Sequence, residues 1–263
     1  MSTPTTYMLL LWGDPDAYVD LEAAYAAHGA FAEQCALLGH EIVGGEELAS
    51  PREARVLTVT DGAAHEVTDG PFAETTEQLG GFYLVRTADP GGLLRLAAPL
   101  VMDDGGTLEL RPVVVHDAAT PTGDLAGERC AGVRTCLLLL RGDPTGLFDL
   151  DAVMAAHDRF TRACPEHGHE IVGGEELGDA TAARLLRVGP DGPTICDGPY
   201  AEVTEQIGGY YLVRTADPDG LLRMAAPLVE AEGRGSIELR PVATHDGAGP
   251  SPADQAAATQ PVP

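Results

Sequence analysis

An α+β protein built from two tandem copies of one unit of roughly 115 residues is the fold class this sequence predicts. Three observations carry it. The first is an internal repeat: HEIVGGEEL at His40 to Leu48 returns at His169 to Leu177, an offset of 169 − 40 = 129. DGPFAE from Asp69 returns as DGPYAE from Asp197, GGFYLVRTADP from Gly80 returns as GGYYLVRTADP from Gly208, and ELRPV recurs from Glu109 at Glu238. The offset drops by one in the middle and recovers, and such single-residue length changes belong in loops. The second is an alternation of strand-like and helix-like patterning inside each copy. The third is a strand, Phe82 to Val85, that is apolar on both faces and so needs cover on both.

In the first copy, Tyr7 to Trp12 is a continuous apolar run and reads as a buried strand. Gly13-Asp14-Pro15 offers a turn or helix start. A helical pattern runs from Asp20 to Leu38, with Gly39 as its stop. Glu41 to Glu46 is a second strand. Val56 to Thr60 and Glu66 to Thr68, joined through Asp61-Gly62, read as a hairpin. Asp69 to Gly80 is a loop and Gly81 to Thr87 a strand. Asp89-Pro90 opens a second helix that Pro99 ends or kinks. Thr107 to Val115 is the last strand.

Without the hairpin insertion the order is βαββαβ, the ferredoxin-like arrangement of a four-stranded sheet with both helices on one face. The bare sheet face of each copy is best covered by the other. The expected architecture is therefore two such domains packed sheet to sheet as an intrachain, pseudo-dimeric α+β barrel. Copy one spans 6–116, a linker 117–132, copy two 133–246, and a disordered tail of Ala, Pro and Gly 247–263.

Composition narrows the function classes. Sixteen basic against 41 acidic residues give a formal charge of −25, which disfavours nucleic acid and anionic membrane surfaces and favours solubility. The longest apolar run, Cys136 to Leu140, cannot span a bilayer, and the N-terminus reads as a first strand, not a signal peptide. Five cysteines, with Cys35 and Cys164 in matched helix positions, read as buried thiols of a cytoplasmic protein. No phosphate loop, dinucleotide fingerprint, nucleophile elbow or tight metal-ligand cluster is present in the sequence, so neither an organic cofactor nor a metal is expected.

The stretch DGPFAETTEQLGGFYLV, with YMLLLWGD, GGEEL and ELRPV in order and spacing around it, resembles the signature of the YCII-related family in its DGPF subgroup. The resemblance covers nearly all of both copies and implies the dimeric α+β barrel fold, assembled here from one chain. It also implies an enzyme working through a His and Asp acid–base pair, the His lying on the first helix. His28 stands 17 residues before Gly45 and His157 stands 17 before Gly174, as the family pattern asks. The family's Asp near the end of the second helix is unmatched in AAPLVMDDG and AAPLVEAEG.

His28 and His157 are thus the candidate bases, each on a helix face with Tyr25 or Met154 and with Cys35 or Cys164. A core role is the commoner fate of such a histidine. Asp69 and Asp197 open the Asp-Gly-Pro turn; either turn formation or orientation of the histidine fits them. Glu46 and Glu175 follow paired glycines that suggest a bulge or close approach, with surface charge the plainer role. Glu47 and Glu176 point the other way. Tyr83 and Tyr211 sit on the central strand. Trp12 and Arg141, Tyr25 and Met154, and Phe72 and Tyr200 differ between copies, so if they line pockets the pockets are unequal. His40, His169, His116 and His245, at strand ends, are expected to be exposed.

Two functions follow. The first is a cofactor-independent, small-molecule enzyme of lyase, isomerase or cyclase type, suited to bacterial secondary metabolism and acting as a monomeric pseudo-dimer or homodimer. The second is a non-catalytic metabolite-binding or regulatory accessory protein. The resemblance links the DGPF subgroup to extracytoplasmic-function sigma factors, which makes such a factor the implied partner.

Overall fold

The computed structural model describes residues 3–17, 20–60, 63–71, 77–101, 105–114, 132–143, 146, 148–189, 191–200 and 205–244, with backbone alone at 63–66. The linker up to residue 131 and the tail lie outside the described residues, as do Phe72, His116 and His245. The first half contains β1 (Thr5–Gly13), α1 (Leu21–Leu38), β2 (Glu41–Glu47), β3 (Arg55–Thr60), β4 (Ala63–Asp69), β5 (Gln78–Thr87), α2 (Pro90–Leu96) and β6 (Thr107–Pro112). The second contains β7 (Arg134–Gly142), α3 (Leu150–Glu166), β8 (Glu170–Glu176), β9 (Arg184–Gly189), β10 (Gly192–Asp197), β11 (Gln206–Thr215), α4 (Pro218–Glu230) and β12 (Gly235–Pro241).

Local chemistry sets the helix ends. The Asp20 carboxylate accepts from the Glu22 and Ala23 amides at 3.1 and 3.2 Å, and Gly39 closes α1 in the left-handed region at φ 81°. Asp149 caps α3 in the same way. Pro90 and Pro218 occupy the first helical position, where a missing N–H costs nothing.

The strands form two six-stranded sheets, in the orders β10-β9-β6-β1-β5-β2 and β4-β3-β12-β7-β11-β8. Each sheet therefore contains four strands of one copy and the hairpin of the other. Leu57 of β3 pairs with Ile237 of β12, and Leu186 of β9 pairs with Leu108 of β6. The exchanged residues are structural: Leu57 and Val59 enter the core beneath α3 and α4, and Leu186 enters the core beneath α1. A third core lies between the sheets, where Met8, Leu10, Phe82 and Leu84 meet Leu137, Leu139, Tyr210 and Leu212. β5 accordingly has cover on both faces, with Tyr83 and Val85 in the helix-side core.

The expected barrel is not formed: neither sheet closes. The reason lies in the exchange. The free edges of β6 and β12, which closure would need, are already hydrogen-bonded to β9 and β3. Among the described residues, the backbones of the two sheets meet at corners, by the bridges Leu48 to Val242 and Val113 to Leu177.

Buried arginines also tie the two sheets together. Arg111 donates to the carbonyls of Gly178 and Ile207, the latter at 3.2 Å, and Arg240 donates to the carbonyl of Leu79. Each guanidinium also meets the glutamate two residues earlier on its own strand, Glu109 or Glu238. Burial raises the Glu109 pKa, ahead of the opposing pull of Arg111. Burial would raise Glu238 too, but Arg141 and Arg240 together bring it below its ordinary value. Charges taken out of water are costly unless paired, and each of these glutamates has an arginine on its own strand.

Candidate functional site

α1 lies over the helix-side face of the first sheet, with Phe31, Ala32 and Cys35 buried. His28, one turn earlier, meets Tyr83 of β5, its Nδ1 lying 2.6 Å from the phenolic oxygen. Phe31 braces the same phenol ring at 5.1 Å between centroids. The ring fits because its strand neighbour is Gly45: a Cβ there would stand 3.1 Å from Tyr83 Cδ1 and 2.7 Å from the Phe82 carbonyl oxygen. The second copy repeats the unit, with His157 Nδ1 2.7 Å from the Tyr211 hydroxyl and Gly174 beneath the ring.

Burial lowers the pKa of His28 below the ordinary imidazole value and pushes the Tyr83 phenol well up, with Cys35 and Glu47 adding to the latter. At neutral pH the pair is therefore a neutral imidazole against a protonated phenol. His157 is likewise lowered by burial, with Glu176 opposing, and Tyr211 is pushed up to about 12 by burial.

A cavity of about 380 Å³ opens beside His28, and Trp12, Tyr25, Glu46, Glu47 and Tyr83 line it with the imidazole. β1 slips register between Leu11 and Trp12, and β2 between Ile42 and Gly44. The β1 irregularity lies at the cavity end of its strand, as bulges next to sites commonly do, whereas the β2 one lies at the strand end away from Glu46 and Glu47. Glu46 is 6% exposed and raises the pKa of buried Tyr210, so it faces the inter-sheet side and not the surface. Glu47 acts on Tyr25 and Tyr83 and so faces the helix side.

Trp12 is held from the other copy. The ring of Tyr200 stacks on it at 4.4 Å and 5°. The Tyr200 hydroxyl donates to Glu77 Oε2 at 2.6 Å, and Arg187 donates to the Tyr200 carbonyl at 2.7 Å. Tyr200 is thus a buttress behind the cavity wall. Arg141, the counterpart of Trp12, instead donates to buried Glu238 at 3.0 Å. Its neighbour in rank, Met154, is 48% exposed on α3, and Glu175 is half-buried beside Tyr210.

Other expected groups stand elsewhere. Asp69 is 90% exposed at the end of the exchanged β4, where its carboxylate meets Arg55 at 3.4 Å; Asp197 meets Arg184 at 3.6 Å. Hairpin exchange carries both away from the histidine of their own copy. His40 and His169, expected at the surface, are buried, with Nδ1 bonded to Thr87 and Thr215 hydroxyls at 2.7 and 2.9 Å. Cys35 and Cys164 are buried free thiols, raised by burial to about 12 and about 11. Sequence reasoning passed over the Glu-Leu-Arg of β6 and β12, although alternation places Glu and Arg on one strand face in both copies. Among the described residues no group of His, Cys, Asp and Glu could hold a metal ion, and no helix is long and apolar enough to cross a membrane.

An uncharacterized protein of Rhizobium meliloti (strain 1021) is 41% identical over 66 residues, a match spanning 25% of this chain and 53% of that protein. Among solved structures, a protein described provisionally as a chlorite dismutase aligns over 98% of this chain and 100% of its own, at 11% identity and a TM-score of 0.37. An unknown protein from Galdieria sulphuraria aligns over 91% of this chain and 99% of its own, at 12% identity and a TM-score of 0.24. At such scores neither likeness bears on fold or function. The model of the YCII-related domain matches residues 5–116 and again 135–245, and the chain belongs to the YCII-related family.

Proposed function

We propose that the copy-one cavity binds a compact small molecule and that His28 moves a proton on it, in an isomerisation, elimination or cyclisation. The observation that carries this reading is a neutral imidazole, fixed through Nδ1 by a buried phenol, on the wall of a cavity large enough for a ligand. In this reading Nδ1–H donates to the Tyr83 oxygen and Nε2 keeps its lone pair. A lowered pKa keeps that lone pair free at neutral pH, the condition for a general base. Copy two supports the structure, lends Tyr200 to the wall of the first site and spends Arg141 on Glu238.

The test is proton exchange on a neutral, enolisable aromatic ketone. The protein is incubated with 2-tetralone in D₂O, and α-deuteration is followed by NMR. The wild-type and His157→Ala proteins should accelerate exchange, and His28→Ala should lose about 10²-fold or more of the acceleration. Equal rates in the wild-type and His28→Ala proteins contradict the proposal. One observation favours a second reading, in which the cavity binds a metabolite without turning it over: the partner at Nδ1 is a neutral phenol and not the carboxylate of an acid–base pair. Binding of the ketone without exchange selects that reading.

A further inference from the structure

We infer that the ligand of the copy-one cavity is a compact organic cation, a protonated amine or quaternary ammonium on an apolar body; this rests on the reading of that cavity as the working site. The cavity combines aromatic walls with carboxyl groups. Trp12, Tyr25, Phe82 and Tyr83 line it, together with Asp14, Glu46 and Glu47. None of the described residues lining it is an arginine. Lysine occurs nowhere in the chain, so arginine and histidine are its only cationic side chains. Arg52, which follows the lining residue Pro51, holds its guanidinium on Asp16 at 2.8 Å. Arg111, Arg141 and Arg240 are buried on glutamates and carbonyls of the inter-sheet layer. An anionic substrate would thus meet carboxyl groups with no lining guanidinium to receive it.

A cation meets the opposite conditions. Aromatic faces attract it through their quadrupoles, most strongly where water is excluded. The formal charge of −25 draws cations toward the protein and repels anions before contact. His28, kept neutral by burial, adds no opposing charge. The apolar body is required by the remaining walls, which include Leu11, Leu79 and Val101.

Three probes of like size and different charge test this on the full chain by isothermal titration: benzyltrimethylammonium, benzyl alcohol and phenylacetate. The cation should bind about tenfold or more tighter than the alcohol, and phenylacetate should not bind. Glu47→Gln should weaken the cation several-fold and leave benzyl alcohol unchanged. Glu46→Gln should do the same; because Glu46 is buried, the half-buried Glu47 and the loss of cation affinity with added salt carry the test if that variant misfolds. Phenylacetate binding as tightly as the cation overturns the inference, as does cation binding that ignores Glu47→Gln and salt. No cation binding also overturns it. The ketone-exchange result stands apart: His28-dependent exchange with no cation preference removes the charge assignment and leaves the proposed base in place.

Discussion

Gly45→Ala probes the contact on which the site depends. The added Cβ would sit 2.7 Å from the Phe82 carbonyl oxygen and 3.1 Å from Tyr83 Cδ1. The first distance is shorter than any real Cβ contact, and the obstacle is backbone, so β2 or β5 must shift. Overpacking of this kind costs about 1–3 kcal/mol, offset by about 0.4–1 kcal/mol from the stiffer unfolded chain. A net loss of up to about 2.6 kcal/mol follows, about 1.3 kcal/mol at mid-range, read as a lower urea midpoint at unchanged slope. Gly44→Ala is the matched control, since its nearest neighbour would be the movable Leu84 Cδ1 at 3.4 Å. It should be neutral or slightly stabilising. Displacing the phenol should also disturb its 2.6 Å contact with His28, seen as a changed imidazole resonance in Gly45→Ala alone. Equal midpoints for the two variants, or an unmoved His28 signal in Gly45→Ala, would refute the reasoning.

Further predictions follow from the layer between the sheets and from the buried imidazoles. Arg240→Ala leaves buried Glu238 to Arg141 alone and frees the Leu79 carbonyl, so it should cost about 1.5–3 kcal/mol in chemical denaturation, more than Arg162→Ala at an exposed pair. A fragment of residues 1–132 should not persist as a folded monomer, because its hairpin has lost its sheet; light scattering should find a dimer that exchanges hairpins or an unfolded chain. His28, His40, His157 and His169 all have folded pKa values lowered by burial. Their contribution is fully present above the ordinary imidazole pKa and is lost as pH falls toward their folded values, because the unfolded chain takes up protons first. Glu238, also lowered, adds a loss at still lower pH, whereas Glu109, raised by burial, acts in the opposite sense. The slope of stability between about pH 7 and about pH 5 should be shallower in His157→Gln than in the wild type.

Much of this was readable from the residues. The repeat, the capped first helix and the two-sided burial of Phe82 to Val85 follow from local pattern and need no partner to be seen. Hairpin exchange does not: Val56, Leu57 and Val59 carry the same apolar character whichever sheet receives them, and pairing with β12 is a choice made across almost the whole chain. That one choice explains why the barrel does not form and why Asp69, paired with Arg55 across its own hairpin, joins the sheet of the other copy and not the one beneath His28. His28 itself was legible from its helix position, but its partner Tyr83 lies 55 residues away on another element. The burial of His40 had a weak signal, a His and Thr repeated at matched positions as His169 and Thr215, which only the sheet brings together. Glu46 followed the same logic: alternation shows that one of two adjacent glutamates turns inward but not which sheet it meets.

The central claim is that His28 is a neutral base held through Nδ1 by Tyr83. Nitrogen-15 spectra of the imidazole, followed through a pH titration in wild-type and Tyr83→Phe proteins, test it most directly. The account predicts a protonated Nδ1, an unprotonated Nε2 and a pKa below that of free imidazole, with the tautomer preference lost in Tyr83→Phe. A proton on Nε2 at neutral pH, or a His28 that titrates like an exposed histidine, would contradict it.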